Sequence, residues 1–170
     1  NFLILMSYLN IECPFDSRSL NIGESCPKCG YKIESNSENN ITFRRSSDSE
    51  GIYKSYENAY DELAEDDLSN PIYAKEYQSD LALETHRAIG SVDELDVAEL
   101  GVGQGFLQKA FILEKPKSLL ALDIAEEYVA NAQKIFLNSG NSSTAFHTSV
   151  GNVEFMPFHF SYPVLPSTDT

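Results

Sequence analysis

Basic residues are scarce in this chain: 12 lysines and arginines stand against 26 aspartates and glutamates in 170 residues, a formal net charge of −14. Such a surface repels phosphate backbones and counts against a nucleic-acid substrate. Long apolar runs are missing as well, although apolar residues make up 42% of the chain. None approaches the roughly 20 residues of a membrane-spanning helix. Phe2-Leu3-Ile4-Leu5-Met6 is too short for a secretory signal and lacks its basic flank, so the sequence reads as cytoplasmic, with no membrane partner. A starting methionine is absent at Asn1; Met6 is the expected natural start. Cysteine is limited to Cys13, Cys26 and Cys29, and in a reducing compartment these are expected as thiols or metal ligands.

What is present suffices for one domain, or one domain plus a small module, with enough chain to bury a core. The central feature is Val97-Ala98-Glu99-Leu100-Gly101-Val102-Gly103-Gln104-Gly105. An apolar run followed by glycines at alternate positions predicts a strand end that turns sharply and brings bare backbone N–H groups against a ligand. Phe106, Leu107, Ala110 and Phe111 recur at helical spacing, so the loop feeds a helix. Ser118-Leu119-Leu120-Ala121-Leu122-Asp123 is a second apolar run, ending where the next parallel strand would offer a carboxylate to the hydroxyls of a ribose. The dinucleotide spacing G-x-G-x-x-G is not met, because Phe106 takes the position of its third glycine, which weakens a nicotinamide-dependent oxidoreductase reading.

Glu99-Leu100-Gly101-Val102-Gly103-Gln104-Gly105 resembles motif I of the class I S-adenosylmethionine-dependent methyltransferases. The segment from Asp123 to Ala132 resembles that family's acidic strand end and following helix. Gly151-Asn152-Val153-Glu154-Phe155-Met156-Pro157-Phe158 resembles its G-D-A-E-x-L-P-F segment beside the adenine. The resemblance runs from about Ile52 to Phe158. It implies a Rossmann-like, doubly wound, mostly parallel α/β sheet and S-adenosyl-L-methionine as cofactor. By the same resemblance Gly101, Gly103 and Gly105 would line the amino-acid end of the cofactor and Glu99 would orient that loop or the amino group. Asp123 would hold the ribose hydroxyls. Ile124, Asn152 and Val153 would flank the base, with Asn152 standing where the family commonly has Asp.

The N-terminal stretch differs in composition. Cys13-Pro14-Phe15-Asp16 and Cys26-Pro27-Lys28-Cys29-Gly30 resemble the two knuckles of a zinc ribbon, with Asp16 in place of one cysteine. Cys13, Asp16, Cys26 and Cys29 are therefore candidate ligands of a structural zinc ion, since zinc accepts a carboxylate oxygen as well as thiolates. Residues 1–33 read as this ribbon-like module, 34–51 as a polar linker that leaves it separable, and 52–170 as the methyltransferase domain. Ile52, Tyr53, Tyr56, Tyr60 and Leu63 fall on one helical stripe, and the family likeness makes Tyr53, Tyr56 and Tyr60 candidate lid residues. A helix is expected from Ser69-Asn70-Pro71 to Gly90, strands over Thr144–Val150 and Tyr162–Pro166, and surface or packing roles for His86, His147 and His159.

The family's sheet has seven strands, so only its cofactor-binding half is expected here, with an open edge prone to association. The implied reaction is in-line displacement, a substrate nucleophile attacking the methyl carbon of the sulfonium. The acidic balance points to a small-molecule or saccharide acceptor. Ribosomal RNA methylation and a non-catalytic use of the fold are the alternatives, and no catalytic base is assigned.

Overall fold

The computed structural model describes residues 11–35, 41–45, 52–69, 80, 83–85, 87–153 and 156–157. In chain order these form β1 (Tyr31–Ser35), β2 (Ile41–Arg45), α1 (Ile52–Ser69), β3 (Asp96–Leu100), α2 (Phe106–Glu114), β4 (Ser118–Asp123), α3 (Glu126–Ser139) and β5 (Ala145–Val150). All six residues of β4 are buried. That is the pattern of a strand covered on both faces, as in the middle of a parallel sheet.

The strand order is β1-β2-β5-β4-β3. β3, β4 and β5 are parallel, in the register Asp96↔Ser118 and Ser118↔Ala145. β2 runs parallel to β5, and β1 closes the sheet antiparallel to β2. The fold is thus α/β with a five-stranded, mostly parallel sheet, and α2 and α3 are its crossover helices. Glu126 and Glu127 in the first turn of α3 complement its helix dipole, and Gly140 in the left-handed region ends it. β3 is an edge of the sheet among the described residues, and its end residues Asp96 and Leu100 are exposed.

The two faces of β4 are covered differently. Leu119 packs with Val92, Phe111 and Ile112 beneath α2 and α3, while Ala121 joins Ala64 of α1 and Tyr128, Ala125 and Ala132 of the α3 region. Leu120 and Leu122 point the other way, into a core with Ile11, Cys13, Leu20, Cys26, Tyr31, Ile33, Ile41 and Phe43. Burying one such leucine is worth about 1.5–3 kcal/mol. Among the described residues, then, the second face of the sheet, to which β1 and β2 also turn Tyr31, Ile33, Ile41 and Phe43, is covered by the cysteine-bearing loops and not by helices.

This corrects the linker expected over 34–51. Residues 34–35 finish β1, and residues 41–45 are β2, hydrogen-bonded to β5. Ile41 and Phe43 alternate with Thr42 and fill the core, so a polar surrounding composition concealed a strand. The N-terminal segment shares one core and one sheet with the rest, and Glu12 N–H donates to Pro157 O at 2.9 Å. Residues 36–40 and 46–51, Tyr73, Tyr77, His86, His159 and the strand expected over Tyr162–Pro166 lie outside the described residues. Within the expected Pro71–Gly90 helix, residues 80, 83–85 and 87–89 are helical. No helix among the described residues is long and apolar enough to cross a membrane.

Phe43 presses on Gly151 so closely that a Cβ there would sit 2.5–2.8 Å from three of its ring carbons. Gly151→Ala should therefore destabilise the fold by about 1–3 kcal/mol, and adding Phe43→Leu should recover part of that loss. Urea denaturation of both single variants and the double variant measures the coupling. Strictly additive effects would mean the ring does not limit residue 151.

Candidate functional site

The carboxyl ends of β3, β4 and β5 open onto a cleft of about 670 Å³ lined by Gly101, Gly103, Leu122, Asp123, Ile124, Gly151, Asn152 and Val153, with Tyr56, Tyr60 and Tyr128 as its aromatic wall. This is where open parallel sheets bind ligands, because the loops leaving the strand ends diverge there. The volume suits a small molecule or cofactor.

Asp123 organises the floor. One carboxylate oxygen accepts the Gly103 N–H at 2.9 Å and the other the Ala125 N–H at 3.1 Å. The side chain thereby ties the end of β4 to the glycine loop and to the start of α3, and each oxygen keeps a further lone pair for a ligand hydroxyl. The expectation of bare loop N–H groups is corrected. Gly101 and Val102 both donate to Leu122 O, at 2.8 and 3.0 Å, and Gly105 donates to Val102 O at 2.9 Å. Closing the loop on itself consumes these donors, as the pairing of buried backbone groups demands. What the glycines supply is conformation and closeness: Gly101 and Gly103 have φ of +76° and +49°, a region costly to residues with a Cβ.

Gly105 does a different job. Its φ is +74°, and a Cβ would meet Ile135 Cδ1 at 2.6 Å and Gln108 Oε1 at 3.3 Å. It lies behind the cleft and lets α2 approach α3. Gln108, fully buried, donates from Nε2 to Ala132 O at 2.8 Å across the same contact. Asn131 Nδ2 reaches Gln104 O at 3.3 Å and fastens the loop from the α3 side.

Glu99 is also behind the loop and not among the lining residues. It is 8% exposed. Burial pushes its carboxyl up to about 8, with a smaller contribution from the Asp123 charge, against the lowering effect of the Gln108 backbone N–H. Glu99 is thus a mostly neutral acid at pH 7. Of the eight residues expected to bind cofactor, six line the cleft and two, Glu99 and Gly105, support it from below.

The aromatic wall is held from outside. Tyr128 donates to Asp67 Oδ2 at 2.8 Å, clamping α1 to α3 next to the buried Ala64. Tyr56 and Tyr60, 53% and 45% exposed, stand at the rim. The place of Tyr128 in the cleft wall shows only when α1 is docked. His147 is buried within β5, where desolvation holds its pKa below the usual value.

A second constellation lies on the opposite face of the sheet. The sulfurs of Cys13, Cys26 and Cys29 lie within 4.8 Å of one another and could hold a metal ion. Cys13 Sγ is 3.4 Å from Cys29 Sγ, and Asp16 Oδ2 is 3.5 Å from Cys26 Sγ. Burial pushes the Cys13 thiol up to about 12. At Cys26 desolvation acts in the same sense but is outweighed by backbone N–H groups of Lys28 and Cys29, which favour the thiolate. Of the four expected ligands, the three cysteines are therefore together, and Asp16 lies beside Cys26 but outside that group.

No protein-family model and no curated protein matches this chain.

Glu99 gives a pH signature. Its folded pKa is raised above the ordinary carboxylate value, so from about pH 4.5 to 8 the unfolded chain loses this proton first and stability falls as pH rises. Glu99→Gln should be more stable than the parent at pH 8, on the order of a few kcal/mol, with the difference vanishing near pH 4. Chemical denaturation of both proteins across this range checks it; a pH-independent difference would place an ionised carboxylate at residue 99.

Proposed function

We propose that this chain carries the cofactor-binding half of a class I S-adenosylmethionine-dependent methyltransferase. The observation that carries the reading is the convergence, at the carboxyl ends of three adjacent parallel strands, of the glycine loop, Asp123 and Asn152 around one cleft. Its chemistry argues against a dinucleotide. A pyrophosphate draws on free N–H donors at the loop and helix start; in the loop those of Gly101, Val102, Gly103 and Gly105 are committed inside the protein, while the start of α2 has no side-chain cap.

The residues fit S-adenosyl-L-methionine by their donor and acceptor set. Asp123 accepts the ribose hydroxyls with the lone pairs that its two backbone bonds leave open. Asn152 offers an amide oxygen to the adenine amino group, and Ile124 and Val153 provide apolar contact with the base. Gly101 and Gly103 admit the amino-acid end to close backbone approach. When bound, the cofactor supplies an electrophilic methyl carbon, so the protein's work is alignment and exclusion of water. Tyr56 and Tyr60 are placed to exclude water from the cleft. Asp61, Glu62, Glu65, Asp66 and Asp67 share α1 with these tyrosines, which favours a neutral or cationic small-molecule or saccharide acceptor over nucleic acid.

Calorimetric titration with S-adenosylhomocysteine tests the reading, with NAD as control. The parent should bind the homocysteine ligand and not NAD. Asp123→Ala and Gly103→Val should weaken binding at least tenfold while keeping the circular dichroism of the parent. Absence of binding in a folded parent, or equal binding of NAD, would refute the proposal.

A further inference from the structure

The aromatic wall of the cleft is built from two helices. Tyr56 and Tyr60, four residues apart, share one side of α1, and Tyr128 joins them from α3. Tyr128 is 7% exposed, against 53% and 45% for the other two, so one ring is deep and two stand at an open front. Neither α1 tyrosine packs into a hydrophobic core among the described residues, where α1 contributes Ala64 instead. Their aromatic area is left for whatever enters the cleft.

Charge narrows what that is. Among the described lining residues there is no lysine, arginine or histidine, and the charged one is Asp123. Carboxylates stand beside the rings. Tyr128 donates its hydroxyl to Asp67 Oδ2 at 2.8 Å, a bond that polarises the phenol and leaves more electron density on the ring. Asp61, next in sequence to Tyr60, has its Oδ1 buried without a hydrogen-bond partner, a state that is costly until a donor or a cation comes near. The faces of aromatic rings attract a cation within about 6 Å of the centroid, most strongly where water is excluded. An anionic group finds no cationic partner among these residues, and a neutral group gains nothing from the carboxylates.

We propose that Tyr56, Tyr60 and Tyr128 form the acceptor subsite, and that the acceptor is a small molecule carrying an alkylammonium group, held on the faces of these rings with Asp61 and Asp67 as compensating charge. The groups assigned to the cofactor lie at the strand ends, whereas all three rings come from helices. The acceptor role rests on the methyltransferase reading; the affinity of the wall for an ammonium does not.

The probe is choline, with 3,3-dimethylbutan-1-ol as its uncharged isostere, titrated into the full chain with and without saturating S-adenosylhomocysteine. Choline should bind at least about fivefold tighter than the isostere, and ring currents should move its methyl proton resonances upfield. A net charge of −14 attracts any cation, so variants of unchanged charge isolate the contribution of the rings. Tyr60→Leu should remove most of the preference and of the upfield shift, and Tyr60→Phe should keep both, each with the circular dichroism of the parent. Choline that binds together with S-adenosylhomocysteine supports an ammonium beside the cofactor. Mutually exclusive binding would put the ammonium in the cofactor's own place and overturn the acceptor assignment. Equal binding of choline and isostere, or a Tyr60→Leu variant that behaves like the parent, would overturn the proposal even where S-adenosylhomocysteine binds. A chain that prefers choline but binds no S-adenosylhomocysteine would refute the cofactor reading, and with it the acceptor role, while supporting the ammonium site.

Discussion

The Asp123 carboxylate is the interaction on which the arrangement of the cleft depends. Its two oxygens accept the N–H groups of Gly103 and Ala125, while its backbone carbonyl accepts the N–H of Gly151. One residue thus joins the loops that follow all three strands. A carboxylate bonded to backbone N–H groups in a buried setting is worth more than a neutral contact, because charge assists the bond and water is excluded. The loop's glycines are needed because only a chain free to take positive φ can turn its N–H groups back onto Leu122 and Asp123 within five residues.

The same strand end explains why the N-terminal segment is part of the structure and not an appendage. β4 carries Leu119 and Ala121 on one face and Leu120 and Leu122 on the other. The crossover helices cover only the first. Without the cysteine turns and the β1–β2 hairpin, both leucines would lose their partners, and the cleft would lose the Phe43 support behind Gly151. A cross-link at the cysteines, such as a metal ion supplies, therefore acts on the same core as the strands that present the site.

Much of this was legible in the residues. The runs Val97–Leu100 and Ser118–Asp123 marked strands because each combines apolar residues with a hard stop, a glycine in one and an acid in the other. The grouping of Gly101, Gly103, Asp123, Ile124, Asn152 and Val153 at one site was what the motif resemblance implied, and all six line the cleft. Three things were not legible. β2 lies in polar sequence, and its burial comes from the partner strand β5. The commitment of the loop N–H groups depends on where Leu122 O lies, a contact across about twenty residues that no local pattern encodes. The wall formed by Tyr128 requires α1 to dock through Asp67, a pairing 61 positions apart. The Cys-Pro spacing, by contrast, was a local signal, and the three cysteines came together as the turns imply.

Charge around the loop narrows what the cleft accepts. Asp123 lies near enough for its charge to add to burial in raising the Glu99 pKa. Asp123 has two backbone donors to hold its negative charge at the mouth, whereas Glu99 lies below the loop in a setting that favours its proton. A ligand entering this cleft meets an acceptor at Asp123, glycine Cα atoms with no free N–H at Gly101 or Gly103, and acidic side chains along α1. Each of these opposes a phosphate, and together they favour a ligand that brings hydroxyls or positive charge. The proposed ligand, a nucleoside joined to a sulfonium and an ammonium, brings these without a phosphate, whereas a dinucleotide brings its hydroxyls together with a pyrophosphate. The choice between them rests less on the spacing of the glycines than on which groups the folded loop has already used.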